Sequence, residues 1–91
     1  FLKDKVVVIT GGSDGIGKAL AQLALNSGAK VAACGRNYDK LYSLQTSNPG
    51  KPLHIVVADV SKEADCKHFI ESSIKYFGGI DMLINNAGIS M

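Results

Sequence analysis

Val6-Val7-Val8-Ile9-Thr10-Gly11-Gly12-Ser13-Asp14-Gly15-Ile16-Gly17 is the stretch whose reading decides the fold. Its first half is a nearly unbroken β-branched run, the pattern of a strand buried on both faces of a parallel sheet. Its second half is a glycine-rich turn that opens onto helically spaced apolar residues, Ile16, Ala19, Leu20, Leu23 and Ala24. Glycines let a backbone bend sharply and approach a ligand that any Cβ would hold off. The helix start then presents unpaired N–H groups and a positive dipole end, which together suit a phosphate. A glycine triplet by itself is weak evidence, and the strand before it and the helix after it are the context that points to a dinucleotide site.

Working outward, strand and helix patterns alternate along the chain. A first strand is expected over Lys5–Thr10 and a helix over Ile16–Ser27, stopped by Gly28. A second strand, Lys30–Cys34, leads to a helix over Tyr38–Thr46 capped by Asn37, and Ser47-Asn48-Pro49-Gly50 reads as a turn. A third strand over Leu53–Ala58 precedes a longer helix that Ser61 would cap, with Glu63 and Asp65 in its first turn. Its expected buried stripe is Cys66, Phe69, Ile70, Ser73, Ile74 and Phe77, and Gly78-Gly79 end it before a fourth strand over Asp81–Asn85. The order β-α-β-α-β-α-β implies an α/β, Rossmann-type doubly wound parallel sheet with strand order 3-2-1-4. Its ligands belong at the carboxyl ends of the strands, near the switch between strands one and four.

Composition bounds the remaining classes. Ninety-one residues make one domain at most, hiding roughly 60–65% of the unfolded surface. A hydrophobic fraction of 46% and a charged fraction of 20% are those of a folded globular chain. A net charge of +2 without a Lys/Arg cluster argues against nucleic acid, and no apolar run is long enough to span a membrane. No signal-peptide pattern is visible in these residues. Cys34 and Cys66 lack metal-like spacing and read as free thiols in a reducing, cytoplasmic setting. His54 at a strand start and His68 on a helix have no acid or cysteine at triad or metal spacing, so both read as ordinary surface or half-buried residues.

The spacing of the glycines is itself informative. The chain has Gly11-x-x-x-Gly15-x-Gly17 after Thr10, in place of the common G-x-G-x-x-G. It has Asp59-Val60 after the third strand and Asn85-Asn86-Ala87-Gly88 at the end of the fourth. With these landmarks in order, nearly the whole chain resembles the short-chain dehydrogenases/reductases. It lacks the T-G-x-x-G-x-x-G of that family's extended, epimerase-like branch. The resemblance implies that Gly11, Gly15 and Gly17 shape a cofactor-binding turn that includes Thr10, Ser13 and Asp14, with the backbone around Ile16 meeting the pyrophosphate. It implies that Asp59 reaches the adenine amino group beside the Val60 backbone. It further implies that Asn85 braces the sheet, while Asn86, Ala87 and Gly88 line the ribose and nicotinamide. Plainer readings stand beside these: Thr10 as a β-branched strand residue rather than a tie to the Asn85 region, Asp59 as a helix-start residue, and Asn85-Asn86 as a turn.

The end of strand two bears on cofactor choice. Sites for NAD place an acid there, roughly 20 residues past the glycine turn, to bind the ribose 2′-hydroxyl. Here Gly35 occupies that slot and Arg36-Asn37 follow. A guanidinium is always charged and can fork two hydrogen bonds onto a phosphate, so NADP(H) is expected, with NAD(H) the alternative. The plain reading of Arg36 is a solvated loop charge. Asp14 counts against NADP unless it caps the first helix, and Lys18 and Lys40 read as surface residues.

The resemblance also implies a catalytic serine and a Tyr-x-x-x-Lys pair. Neither is here: Tyr38, Tyr42 and Tyr76 are each followed four residues on by Tyr42, Thr46 and Ile80, and Ser90 is not the family's serine. No catalytic residue and no metal ligand is therefore assigned. Residues 1–91 are expected to be the N-terminal part of a single NAD(P)-binding domain, inactive alone. The parent would be an NADP-dependent oxidoreductase passing hydride between nicotinamide and a small carbonyl or alcohol, and a homo-oligomer. An isolated piece would associate through the apolar edge of strand four, Met82-Leu83-Ile84. The alternative is a non-catalytic dinucleotide-binding or interaction module.

Overall fold

The computed structural model describes residues 2–12 and 15–86. Its elements run β1 (Val6–Thr10), α1 (Gly15–Asn26), β2 (Lys30–Gly35), α2 (Tyr38–Thr46), β3 (Leu53–Val57), α3 (Glu63–Phe77) and β4 (Met82–Asn85). The strands form one parallel sheet in the order β3-β2-β1-β4, as the alternation of patterns implies. β1 is interior and buried at every residue, which is why its sequence is apolar without alternation.

Side chains alternate across β1 and divide the core into two layers. Val7 and Ile9 pack with Ala21, Ala24 and Leu25 of α1 and with Leu41 and Leu44 of α2. Val6 and Val8 face the other way, with Ala32, Cys34, Ala58 and Phe69 of α3. Helices thus cover both faces, the doubly wound arrangement.

Three local expectations are corrected. In α1 the buried face is Gly17, Ala21, Ala24 and Leu25, with Leu20 partly buried, whereas Ile16 and Leu23 are 48% and 62% exposed. Two overlapping helical stripes were open to this sequence, and the one made of small residues won because it lets α1 lie close on Ala33 and its neighbours. In α3, Phe69 and Ser73 are fully buried while Ile74 is exposed. Burying Ser73 is made tolerable by its hydroxyl, which donates to the Phe69 carbonyl at 2.7 Å. Ser61 does not cap α3: the N-cap is Lys62, which makes no side-chain cap bond, and the Ser61 hydroxyl turns back to Asp59 instead.

Other punctuation follows the sequence reading. Gly28 and Gly78 both take φ of 87° at helix ends, and the Asn37 side chain accepts from the Lys40 N–H at 3.2 Å to cap α2. Buried Asn48 locks α1 to the end of α2. Its amide exchanges two hydrogen bonds with Gln22, at 2.7 and 3.0 Å, and donates to the Leu44 carbonyl at 2.8 Å.

Candidate functional site

Parallel pairing sets the ends of all four strands side by side. Thr10 is opposite both Cys34 and Asn85, and Gly35 is opposite Val57. The residues after these positions therefore share one edge of the sheet: the glycine turn from β1, Arg36 from β2, Asp59 from β3 and Asn86 from β4. Ser13, Asp14, Ala87 and Gly88 also belong to the expected set and lie outside the described residues.

A clasp joins the turn to the end of β4. The buried Thr10 hydroxyl donates to Asn85 Oδ1 at 2.9 Å and accepts from the Asn86 N–H at 3.0 Å, so the tie to the Asn85 region is present. Asn86 Nδ2 donates to the Gly11 carbonyl at 3.1 Å and so orients the first peptide of the turn. Gly12 donates its N–H to the Cys34 carbonyl at 2.9 Å, anchoring the turn to β2 as well.

Two glycines make the turn possible for different reasons. Gly17 lies so close beneath Gly11 that an added Cβ would overlap the Gly11 carbonyl and stand 2.6 Å from Asn86 Nδ2. Gly15, with φ of 57°, has nothing within 4 Å of where a Cβ would be. The start of α1 is thus open on the side where a Gly15 side chain would stand, and a helix start of this kind is the geometry that receives a phosphate. Ile16 is exposed beside it.

The adenine end of the expected site centres on Asp59. Its Oδ1 accepts from the Ser61 hydroxyl at 2.6 Å and from the Ser61 N–H at 3.0 Å. Its own N–H donates to Asp65 Oδ2 at 2.8 Å, and its carbonyl accepts from Lys62 at 2.9 Å. The hydroxyl of Ser61, then its N–H, with the charges of Arg36 and Lys62, hold the carboxyl below the usual aspartate range. Val60 is half-buried against the α3-side core. Arg36 is exposed, and Asn37 commits its Oδ1 to the helix cap.

The remaining chemistry-bearing residues stand apart. Cys34 is buried, and that burial pushes its thiol up from the usual value, so it is not a reactive thiolate. Cys66 is a half-buried free thiol on α3. His54 is the second residue of β3, toward the opposite end of the strand from Asp59, where its Nε2 lies 2.7 Å from Ser72 Oγ and its ring stacks on Tyr76 at 4.4 Å. All three tyrosines are on α2 or α3. Among the described residues no group of His, Cys, Asp or Glu could hold a metal ion, and no helix is long and apolar enough to cross a membrane.

Sequence reasoning missed Gly12, Asn48, Ser61 as the partner of Asp59, and Asp65. The doubled glycine and the recurrence of Asp59, Ser61 and Asp65 ahead of and within a helix start were the available signals. Which oxygen met which donor was not written in them.

An open phosphate cradle clasped to a parallel sheet defines a nucleotide-binding protein of the doubly wound class. Within that class the chain belongs to the short chain dehydrogenase family, whose model matches residues 5–91. An uncharacterized oxidoreductase of Bacillus subtilis (strain 168), YxnA, is 44% identical over 98% of this chain and 26% of its own length. A short chain dehydrogenase from Bacillus anthracis superposes with a TM-score of 0.87 at 39% identity, over 96% of this chain and 36% of that one. A 3-ketoacyl-(acyl-carrier-protein) reductase from Brucella melitensis, solved with NADH, gives 0.85 at 32% identity, over 91% of this chain and 34% of that one. The chain spans well under half the length of the relatives it matches.

Proposed function

We propose that this chain forms the cofactor-binding part of a cytoplasmic, NADP-dependent oxidoreductase, a homo-oligomer that interconverts a small carbonyl compound and its alcohol. The carrying observation is the open start of α1 at Gly15, held in place by the Thr10–Asn85–Asn86 clasp. When bound, the nicotinamide cofactor supplies the hydride. The residues of this chain bind and orient it. The turn through Gly11, Gly15, Ile16 and Gly17, with Ser13 and Asp14 inside it, holds the pyrophosphate. Asp59 and Val60 address the adenine, and Asn86, Ala87 and Gly88 line the ribose and nicotinamide. Proton transfer at the substrate falls to residues beyond those of this chain.

Arg36 supports the choice of NADP. Gly35 ends β2 without a carboxylate to take the 2′-hydroxyl, and the exposed Arg36 guanidinium follows at once. A pair of hydrogen bonds from guanidinium to phosphate is among the strongest a side chain makes. The reading with NAD(H) is kept because the Brucella reductase was solved with NADH. Titration of NADPH and NADH against the full-length protein and its Arg36→Ala variant decides between them. NADPH should bind at least about tenfold more tightly, and the variant should lose that margin through weaker NADPH binding alone, as expected for a charged hydrogen-bond pair. Equal affinities in the unaltered protein refute the NADP assignment.

A further inference from the structure

Among the described residues, Asp59 Oδ2 makes no hydrogen bond, whereas Oδ1 is taken twice over by Ser61. The backbone of Asp59 is fixed as well, from Asp65 on one side and Lys62 on the other. The carboxylate therefore has one spent oxygen and one available oxygen, and Ser61 decides which is which. We propose that Ser61 is a positioning residue for base selectivity, holding Asp59 so that its free oxygen meets a purine bearing an amino group at the six position. The inference rests on the reading of Asp59 as the adenine partner.

The chemistry is one-sided. An ionised carboxylate only accepts hydrogen bonds. A six-amino group donates to it, while the six-oxo group of hypoxanthine presents a lone pair and is repelled. That discrimination needs a charged, oriented acceptor, because a carboxylate free to rotate can turn its oxygens to water. The 2.6 Å bond from the Ser61 hydroxyl supplies the orientation. It also favours the ionised form, in keeping with the depressed carboxyl of Asp59. Ser61 is exposed and packs in neither core layer, so losing its hydroxyl leaves the fold intact.

The test uses the full-length protein and two probes, NADPH and its hypoxanthine counterpart, with binding read from the fluorescence of the reduced nicotinamide. The unaltered protein should prefer the adenine form. Ser61→Ala should shrink that preference at least about threefold, within the range of a charged hydrogen bond, by weakening NADPH alone. Ser61→Thr, which keeps a hydroxyl, should restore it. If Ser61→Ala weakens both probes equally or leaves the ratio unchanged, while Asp59→Ala abolishes it, the role of Ser61 is refuted and the reading of Asp59 survives. If Asp59→Ala leaves the ratio unchanged, the adenine reading itself falls, and the role of Ser61 with it.

Discussion

Replacing Gly17 with alanine sets two well-measured effects against each other. Alanine is the better helix former, by about 1 kcal/mol, and Gly17 lies within α1. On propensity alone the variant is more stable. The added Cβ, however, would overlap the Gly11 carbonyl and come to 2.6 Å from Asn86 Nδ2, about 1 Å inside an ordinary contact. Asn86 can swing away only by surrendering its 3.1 Å bond to Gly11, at about 1 kcal/mol. The Gly11 carbonyl is backbone and moves only if the turn moves, an overpacking cost of about 1–3 kcal/mol. The net expectation is a loss of about 2 kcal/mol after the propensity gain is subtracted. In urea, with a slope of about 1 kcal/mol/M for a small protein, the midpoint should fall by about 2 M at unchanged slope. Gly15→Ala is the internal control, since its Cβ meets nothing and only the positive φ is penalised, at about 1–2 kcal/mol. NADPH affinity should fall in both variants. A Gly17→Ala protein as stable as the parent refutes the close-approach argument.

Thr10→Val preserves shape and removes the clasp, leaving Asn85 Oδ1 and the Asn86 N–H without their partner; thermal melts should show a loss of about 1–3 kcal/mol, and Thr10→Ser should recover most of it. Asn48→Ala leaves Gln22 Oε1 and the Leu44 carbonyl without the Asn48 amide and should cost about 2 kcal/mol by urea titration, with Gln22→Ala in the same background adding little. Burial lowers the pKa of His54, so the folded state prefers the neutral ring. Its contribution is complete above the unfolded value of 6.5 and declines as the pH falls through that value toward the folded one. His54→Phe should flatten the stability profile in that window, and the ring proton shifts of His54 should titrate below those of a model peptide. Asp59 acts in a separate, more acidic window: its depressed carboxyl favours folding in full above the unfolded value of 3.8, and that contribution declines as the pH falls from there through the lower folded value. A profile unaltered by His54→Phe refutes the first of these readings, and one unaltered by Asp59→Asn the second.

The architecture was legible in the sequence because β1 is apolar without alternation and each helix is bracketed by a glycine stop or an asparagine cap. Such signals are local, and local physics decides them. Which face of α1 would be buried was not legible, because Ile16 and Leu23 satisfy helical spacing as well as Ala21 and Ala24 do. The choice depends on how near the helix must come to Ala33, a matter of volume across the sheet rather than of period. The same limit applies to Ser61. A serine before a helix is a good cap by composition, yet a carboxylate two residues earlier offered its hydroxyl a charged partner, and the cap was forgone. Along the strand ends the glycine, aspartate and asparagine landmarks could be named in advance. The hydrogen bonds joining Thr10, Asn85, Asn86 and Gly11 span 75 or 76 residues and arise only from the parallel register.

That span has a kinetic consequence. β1 meets β2 across 24 positions, Val6 against Lys30, but meets β4 across 75, Thr10 against Asn85. By polymer statistics the longer closure costs about 1 kcal/mol more, so β1, α1 and β2 can assemble before β4 arrives. Until it does, the Gly11 carbonyl has no Asn86 amide to orient it and the Thr10 hydroxyl has no Asn85. The cradle would thus be shaped early and set late. In a stopped-flow refolding experiment, helix signal should precede nucleotide capture, and the delay between them would time the docking of β4.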